Sequence, residues 1–181
     1  MSFIQTKSVI DALKSKLETM VFPSDSSFAG QSLFQSVEAY DIPRLETALR
    51  DLLNFDDRIC LIVPMPETFE NTTSGGELRT IKRQQILLIL SDKDYVPGKP
   101  AFFGNDTQPG VLCMKDIVVE QLLGASLDLN HVIFSPVDGE SLRVAEDEKQ
   151  LQKSREGYRL IFETPMGEVR AQIQRGRSLK R

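Results

Sequence analysis

Apolar positions along this chain recur with two periods, and the changes between them mark the elements. Val9, Ile10, Leu13, Leu17 and Met20 fall on one face at helical spacing, and Ser8 with Asp11 has the spacing of a capping box. That helix must stop by Phe22, because Pro23 disfavours helical geometry in the residue before it. After the polar turn Ser24–Ser27 and Gly30, the stretch Ser32–Tyr40 alternates Leu33, Gln35, Val37 and Ala39 against Phe34, Ser36, Glu38 and Tyr40, which predicts a strand. Asp41 before Ile42-Pro43 marks a second helix start, with Leu45, Ala48, Leu49 and Leu52 as its stripe.

Ile59–Val63 is an unbroken apolar run ended by Pro64 and Pro66, the pattern of a central strand covered on both faces. Asn71–Gly76 has no periodicity and reads as a flexible loop. Thr80–Leu90 is polar and basic at its start and apolar from Ile86 onward, so Glu67–Arg83 is expected to form a β-hairpin arm with the Gly75-Gly76 pair at its tip. A long Pro- and Gly-rich connection, residues 92–110, carries Phe102-Phe103, which is expected to pin it to the body. A third helix is predicted from Val111 to Leu123, closed by Gly124. Beyond it come a strand His131–Phe134 ended by Pro136, a turn at Asp138-Gly139, a short strand Leu142–Val144, and a last strand Tyr158–Thr164 ended by Pro165.

This order predicts an α+β fold: a mixed, mainly antiparallel sheet of four to six strands with about three helices packed on it, plus the projecting β-hairpin arm. At 181 residues the chain reads as a single α+β domain over residues 1–167, followed by a basic C-terminal tail, 168–181. In that tail Arg170, Arg175, Arg177, Lys180 and Arg181 stand against Glu168 alone, a net +4, which leaves the body at −8 of the total −4. An acidic body with a short basic end is not the footprint of a general nucleic-acid binder. The tail reads equally as a solvated terminus or as a grip on phosphate or an acidic neighbouring subunit.

No apolar run is long enough for a transmembrane helix, and Asp11, Lys14 and Lys16 interrupt the first segment, so neither a signal peptide nor a membrane partner is expected. Cys60 and Cys113 lie in apolar stretches and read as buried thiols of a reducing compartment.

Candidate chemistry is sparse. His131 is the single histidine and opens an apolar strand, and two cysteines without CxxC spacing make no zinc site. No phosphate-binding glycine motif occurs. Asp92-Lys93-Asp94 is the best carboxylate pair, a pattern that can hold magnesium and is also the ordinary composition of a strand-ending loop. Glu146-Asp147-Glu148 lacks the glycine and spacing of a calcium loop. The reading is of a non-enzyme without cofactor or metal; the enzymatic alternative is a small magnesium-dependent nuclease using Asp92 and Asp94.

The element order over Val9–Met20, Leu45–Pro64, Thr80–Leu90, Val111–Leu127 and Tyr158–Thr164, with the turn Leu122-Leu123-Gly124-Ala125-Ser126-Leu127, resembles the tail terminator (tail completion) proteins of tailed bacteriophages. The resemblance implies a structural virion protein, a homohexameric ring that caps the tail tube, stops its polymerisation and joins the tail to the head connector or neck. Its partners would be itself, the tail tube protein and a neck or connector protein. Genome DNA would pass the lumen without specific binding, and the site would be the tail–neck junction of a virion assembled in the host cytoplasm. On this reading Thr72, Thr73, Gly75, Gly76, Arg79, Lys82 and Arg83 of the arm, Phe102 and Phe103 of the long loop, and Arg170, Arg175 and Arg177 of the tail contact a subunit or partner. The alternative within the same class is another neck or connector-completion protein, or the cap of a contractile injection system.

Overall fold

The computed structural model describes residues 3–40, 46, 49, 52, 58–93, 103–104, 108–130, 132–145 and 154–172. Five strands form one sheet: β1 (Ser36–Ala39), β2 (Ile59–Ser74), β3 (Glu77–Lys93), β4 (Ser135–Ala145) and β5 (Ser154–Gln172), in the order β1-β2-β3-β5-β4. Only β1 and β2 run parallel; every other pair is antiparallel. Two helices, α1 (Thr6–Glu18) and α2 (Val111–Leu122), pack on the sheet. The fold is therefore α+β with a mostly antiparallel sheet, as the hydrophobic pattern predicts. The helix expected around Leu45–Leu52 lies largely outside the described residues.

The two apolar runs explain where the core sits. In β3, Ile86, Leu88 and Leu90 face the helices, joined there by Cys60, Ile62, Leu160 and Phe162 from the neighbouring strands. Leu87 and Ile89 face the other way, with Ile59, Leu61 and Val63, and are covered by Leu52. Alternation along a strand thus feeds two separate clusters, and only a strand buried on both faces needs an unbroken apolar run. From α1 come Val9, Ile10, Leu13 and Leu17; from α2, Val111, Met114, Ile117, Val118 and Leu122. Among the buried charged side chains, Arg155 is 2% exposed. It donates to Leu52 O at 2.8 Å and to Ser91 Oγ at 3.1 Å, tying β5 to the chain that covers the second cluster.

Several boundaries differ from the sequence expectation, and the prolines account for most of them. β2 runs through Pro64 and Pro66, β4 through Pro136, and β5 through Pro165. A proline costs a sheet one ladder bond on one side, so it is tolerated where that side has no neighbour or where a bulge falls. β1 ends opposite Ile62, leaving β2 an edge beyond it, and a bulge lies between Pro64 and Glu67. Pro136 sits on the edge strand β4 beside its own bulge. β4 begins opposite Glu163, so Pro165 lies past the end of that pairing. Consequently Asp138-Gly139 is strand rather than turn, and Leu142–Val144 continues the same strand. Residues 168–172 of the segment read as a basic tail are the end of β5.

Two expected elements are replaced by local hydrogen bonds. Residues 132–134 are not a strand: Phe134 exchanges bonds with Gly124 and Ala125 at the end of α2 (3.0 and 3.2 Å). His131 lies outside the described residues. Of Ser32–Tyr40, only Ser36–Ala39 joins the sheet, because Ser32 bridges back to Val21. Ser8 caps nothing, since α1 begins at Thr6, and Asp11 pairs with Lys7 at 2.5 Å. Gly124 does follow α2, with φ of +74°.

Leu88 is fully buried on the helix-facing side of the central strand. Leu88→Ala is expected to lower unfolding free energy by about 2–5 kcal/mol in urea titrations, whereas Thr73→Ala, exposed near the hairpin turn, should change it by less than about 0.5 kcal/mol.

Candidate interaction surface

Beyond the bulges the sheet narrows to three strands. The hairpin β2–β3 keeps register from Glu67↔Gln84 to Ser74↔Glu77, and β5 pairs with β3 out to Glu77↔Gln172. At about 3.3 Å per residue, the eight residues Glu67–Ser74 span about 26 Å. Each is exposed, in contrast to Ile59–Val63 of the same strand, all buried. Asn71–Ser74, expected as flexible loop, are paired strand, and Thr80 Oγ1 donates to Asn71 Oδ1 across the hairpin at 2.7 Å.

The turn itself is only Gly75-Gly76, at φ of +59° and +83°. Two successive positive φ values make the two-residue hairpin turn that matches strand twist and favours glycine at both positions. Space around both glycines is open, so conformation rather than crowding selects them. Thr72 and Thr73 pair with Arg79 and Leu78 just below the turn.

Of the basic residues that suggested a contact surface, the described ones, Arg79, Lys82, Arg83 and Arg170, face carboxylates within the sheet. Lys82 Nζ lies 2.5 Å from Glu67 Oε1. Arg83 bridges two strands: its Nη2 is 3.2 Å from Glu70 Oε2 on β2 and its Nη1 is 3.1 Å from Glu163 Oε1 on β5. Arg79 sits 2.6 Å from Glu168 Oε2, and Arg170 donates to the other oxygen of the same carboxylate. Arg170 and Arg79 hold the Glu168 carboxyl below the usual range; Lys82, with the Thr6 hydroxyl, does the same for Glu67. A strip so internally balanced offers little net charge to a phosphate backbone, and exposed pairs of this kind stabilise by at most about 1 kcal/mol each.

Beside β5 lies an open groove of about 740 Å³, with Ile81, Ile133 and Pro165 forming its apolar part and Arg79, Glu168 and Arg170 its polar part. Two strand edges flank the extension. Among the described residues no strand pairs with β2 beyond Ile62 on the side away from β3, nor with β5 beyond Glu163 on its outer side. Unpaired edges present rows of N–H and C=O groups to any strand that docks there.

The structure brings Thr72, Thr73, Gly75, Gly76, Arg79, Lys82, Arg83 and Arg170 onto this one extension. Phe103, expected to pin the long connection to the body, is 71% exposed. Phe102, Arg175 and Arg177 lie outside the described residues. Gly104 and Gly110 pack backbone to backbone, a Cβ on Gly110 falling 2.2 Å from Gly104 N. The pairings of Glu67, Glu70 and Glu163 escaped the sequence reading, because their partners lie across the sheet; Glu168, already visible in the sequence as the acid beside Arg170, also takes Arg79 from the neighbouring strand.

For catalysis the described residues bring little together. Cys60 is fully buried, and burial pushes its thiol far above the usual range; burial also raises Cys113. Asp92 is buried at the end of β3, and Asp94 lies outside the described residues. Among the described residues no three His, Cys, Asp or Glu side chains gather to hold a metal ion.

Because its folded pKa is lowered, Glu67 contributes stability that is complete above the ordinary glutamate range and fades as pH falls through the depressed value. Glu67→Gln should therefore melt below the parent at neutral pH, with the difference in Tm closing on acidification. A difference that stays constant down the acid limb would contradict the pairing. Compared with known proteins, the chain matches no family model and no curated sequence.

Proposed function

We propose that this chain is a self-assembling structural protein whose copies join through the edges of the three-stranded extension into a closed ring. The observation that carries this reading is that, among the described residues, no strand pairs with either outer edge of the extension, β2 from Glu67 to Ser74 and β5 from Thr164 to Gln172. One edge of each copy meeting the other edge of the next is a heterologous contact, which closes into a ring when the rotation between copies permits. The internal ion pairs support it further, since a docked strand then meets Arg79, Lys82, Arg83 and Arg170 already paired with carboxylates. Together with the resemblance in element order, this supports the reading of the chain as a tail terminator. The ring caps a tail tube, stops its growth and presents its other face to a neck or connector protein, with the hairpin as a projecting arm between subunits or against the tube.

A shortened hairpin tests this directly. Removing Thr72–Ser74 and Glu77–Arg79 deletes three paired rungs and leaves Asn71-Gly75-Gly76-Thr80, keeping both the register and the glycine turn. The variant should keep the parent's near-native core by circular dichroism, yet form no rings by negative-stain microscopy and leave tubes growing past their fixed length when mixed with tube subunits. Rings and capped tubes from the shortened chain would refute the assignment.

A further inference from the structure

The first described residues of the chain cross the extension where it leaves the body. The Phe3 ring meets Phe69 of β2 edge-on, centroids 6.1 Å apart. Ile4 N–H donates to Met166 O of β5 at 2.8 Å. Thr6, the first residue of α1, places its Oγ1 2.6 Å from Glu67 Oε1 on β2 and 3.2 Å from Gln84 Oε1 on β3. Its single hydroxyl proton serves the shorter contact, to the charged oxygen. Three residues of this short segment thus touch all three strands of the extension.

They do so at the level of the bulges, between Pro64 and Glu67 on β2 and between Ile81 and Arg83 in the β3–β5 ladder, where Gly167 has φ of +114°. A bulge adds a residue to one strand, bends it and changes the local twist. The sheet therefore turns where Phe3–Thr6 lie. Below this level the strands are locked between two buried clusters; above it, Glu67–Ser74 are exposed throughout. Two of the contacts across the bend are accessible, since Phe69 is 52% exposed and the Thr6–Glu67 bond lies at the surface, whereas Ile4 packs against the helix-side cluster and its partner Met166 is buried in it. The Phe3–Phe69 and Thr6–Glu67 contacts can open while Ile4 stays on the cluster that Val9, Leu13 and Leu17 of α1 anchor.

We propose that Phe3–Thr6 form a strap that sets the angle at which the three-stranded extension leaves the body, so that the start of the chain controls where the hairpin tip is carried. With the strap seated, the extension holds one direction; with its Phe3 and Thr6 contacts released, the bulges act as a hinge while both core clusters stay intact. The strap belongs to a single copy of the chain and does not depend on ring formation.

Spin labels at Ser15→Cys on α1 and Thr73→Cys near the hairpin turn, both exposed, measure this angle in a Cys113→Ser background, since Cys60 is fully buried. Labelled chain is diluted into unlabelled chain so that only distances within one copy are read. The parent should give one narrow distance distribution. Removing residues 2–5, or the milder pair Phe3→Ala with Thr6→Val, should broaden and shift it, while amides of Ile86–Leu90 keep their protection from hydrogen exchange. An unchanged distribution in both variants overturns the proposal. So does loss of Ile86–Leu90 protection in the milder variant, which would make these residues part of the core rather than a strap on it.

Discussion

β3 is paired on both sides along nearly its whole length, with β2 from Glu77 to Ser91 and with β5 from Glu77 to Lys93. The rest of the structure depends on that continuity. At its base, Ile86–Leu90 are buried on both faces and nucleate two clusters, one under the helices and one under Leu52. Its outer half has little core beneath it. A two-stranded hairpin alone is marginal in water, and a third strand is what allows it to persist. β5 supplies that third strand, so the extension inherits its order from a ladder that begins in the core.

Charge follows the same geometry. Arg83 reaches a carboxylate on each neighbouring strand, and Glu168 takes up Arg79 and Arg170 together. These pairs contribute modestly to stability, because they are exposed. Their larger effect is on recognition: they consume the basic character that the sequence displays around Lys82-Arg83 and leave backbone edges and the apolar part of the groove by Ile81 and Ile133 as what the extension presents.

The core was legible from the sequence because burial leaves a periodic trace. The helical stripe of Val9–Leu17 and the unbroken runs Ile59–Val63 and Ile86–Leu90 each located an element and its environment. Strand ends were not legible, because a proline reports only one side of a strand. Pro64, Pro66, Pro136 and Pro165 lie where that side is unpaired or bulged, which depends on where the neighbouring strand happens to stop. Reading Pro165 as a stop hid Glu168 and Arg170 from the sheet, and with them the third strand of the extension. The interface candidates on the hairpin were found by composition, but their carboxylate partners lie across strands, at separations such as Arg83 to Glu163 that no local pattern encodes.

The proposed assembly rests on an extension whose order comes from the body and whose two outer edges pair with no strand among the described residues, a ring being the closed form of such joining. Mass measured by light scattering across a concentration series, alone and with tube ends present, tests this most directly. The account predicts one discrete species at a fixed multiple of the 20.4 kDa chain, its size independent of concentration once formed. A chain that remains monomeric even with tube ends, or that grows without limit as concentration rises, would contradict it.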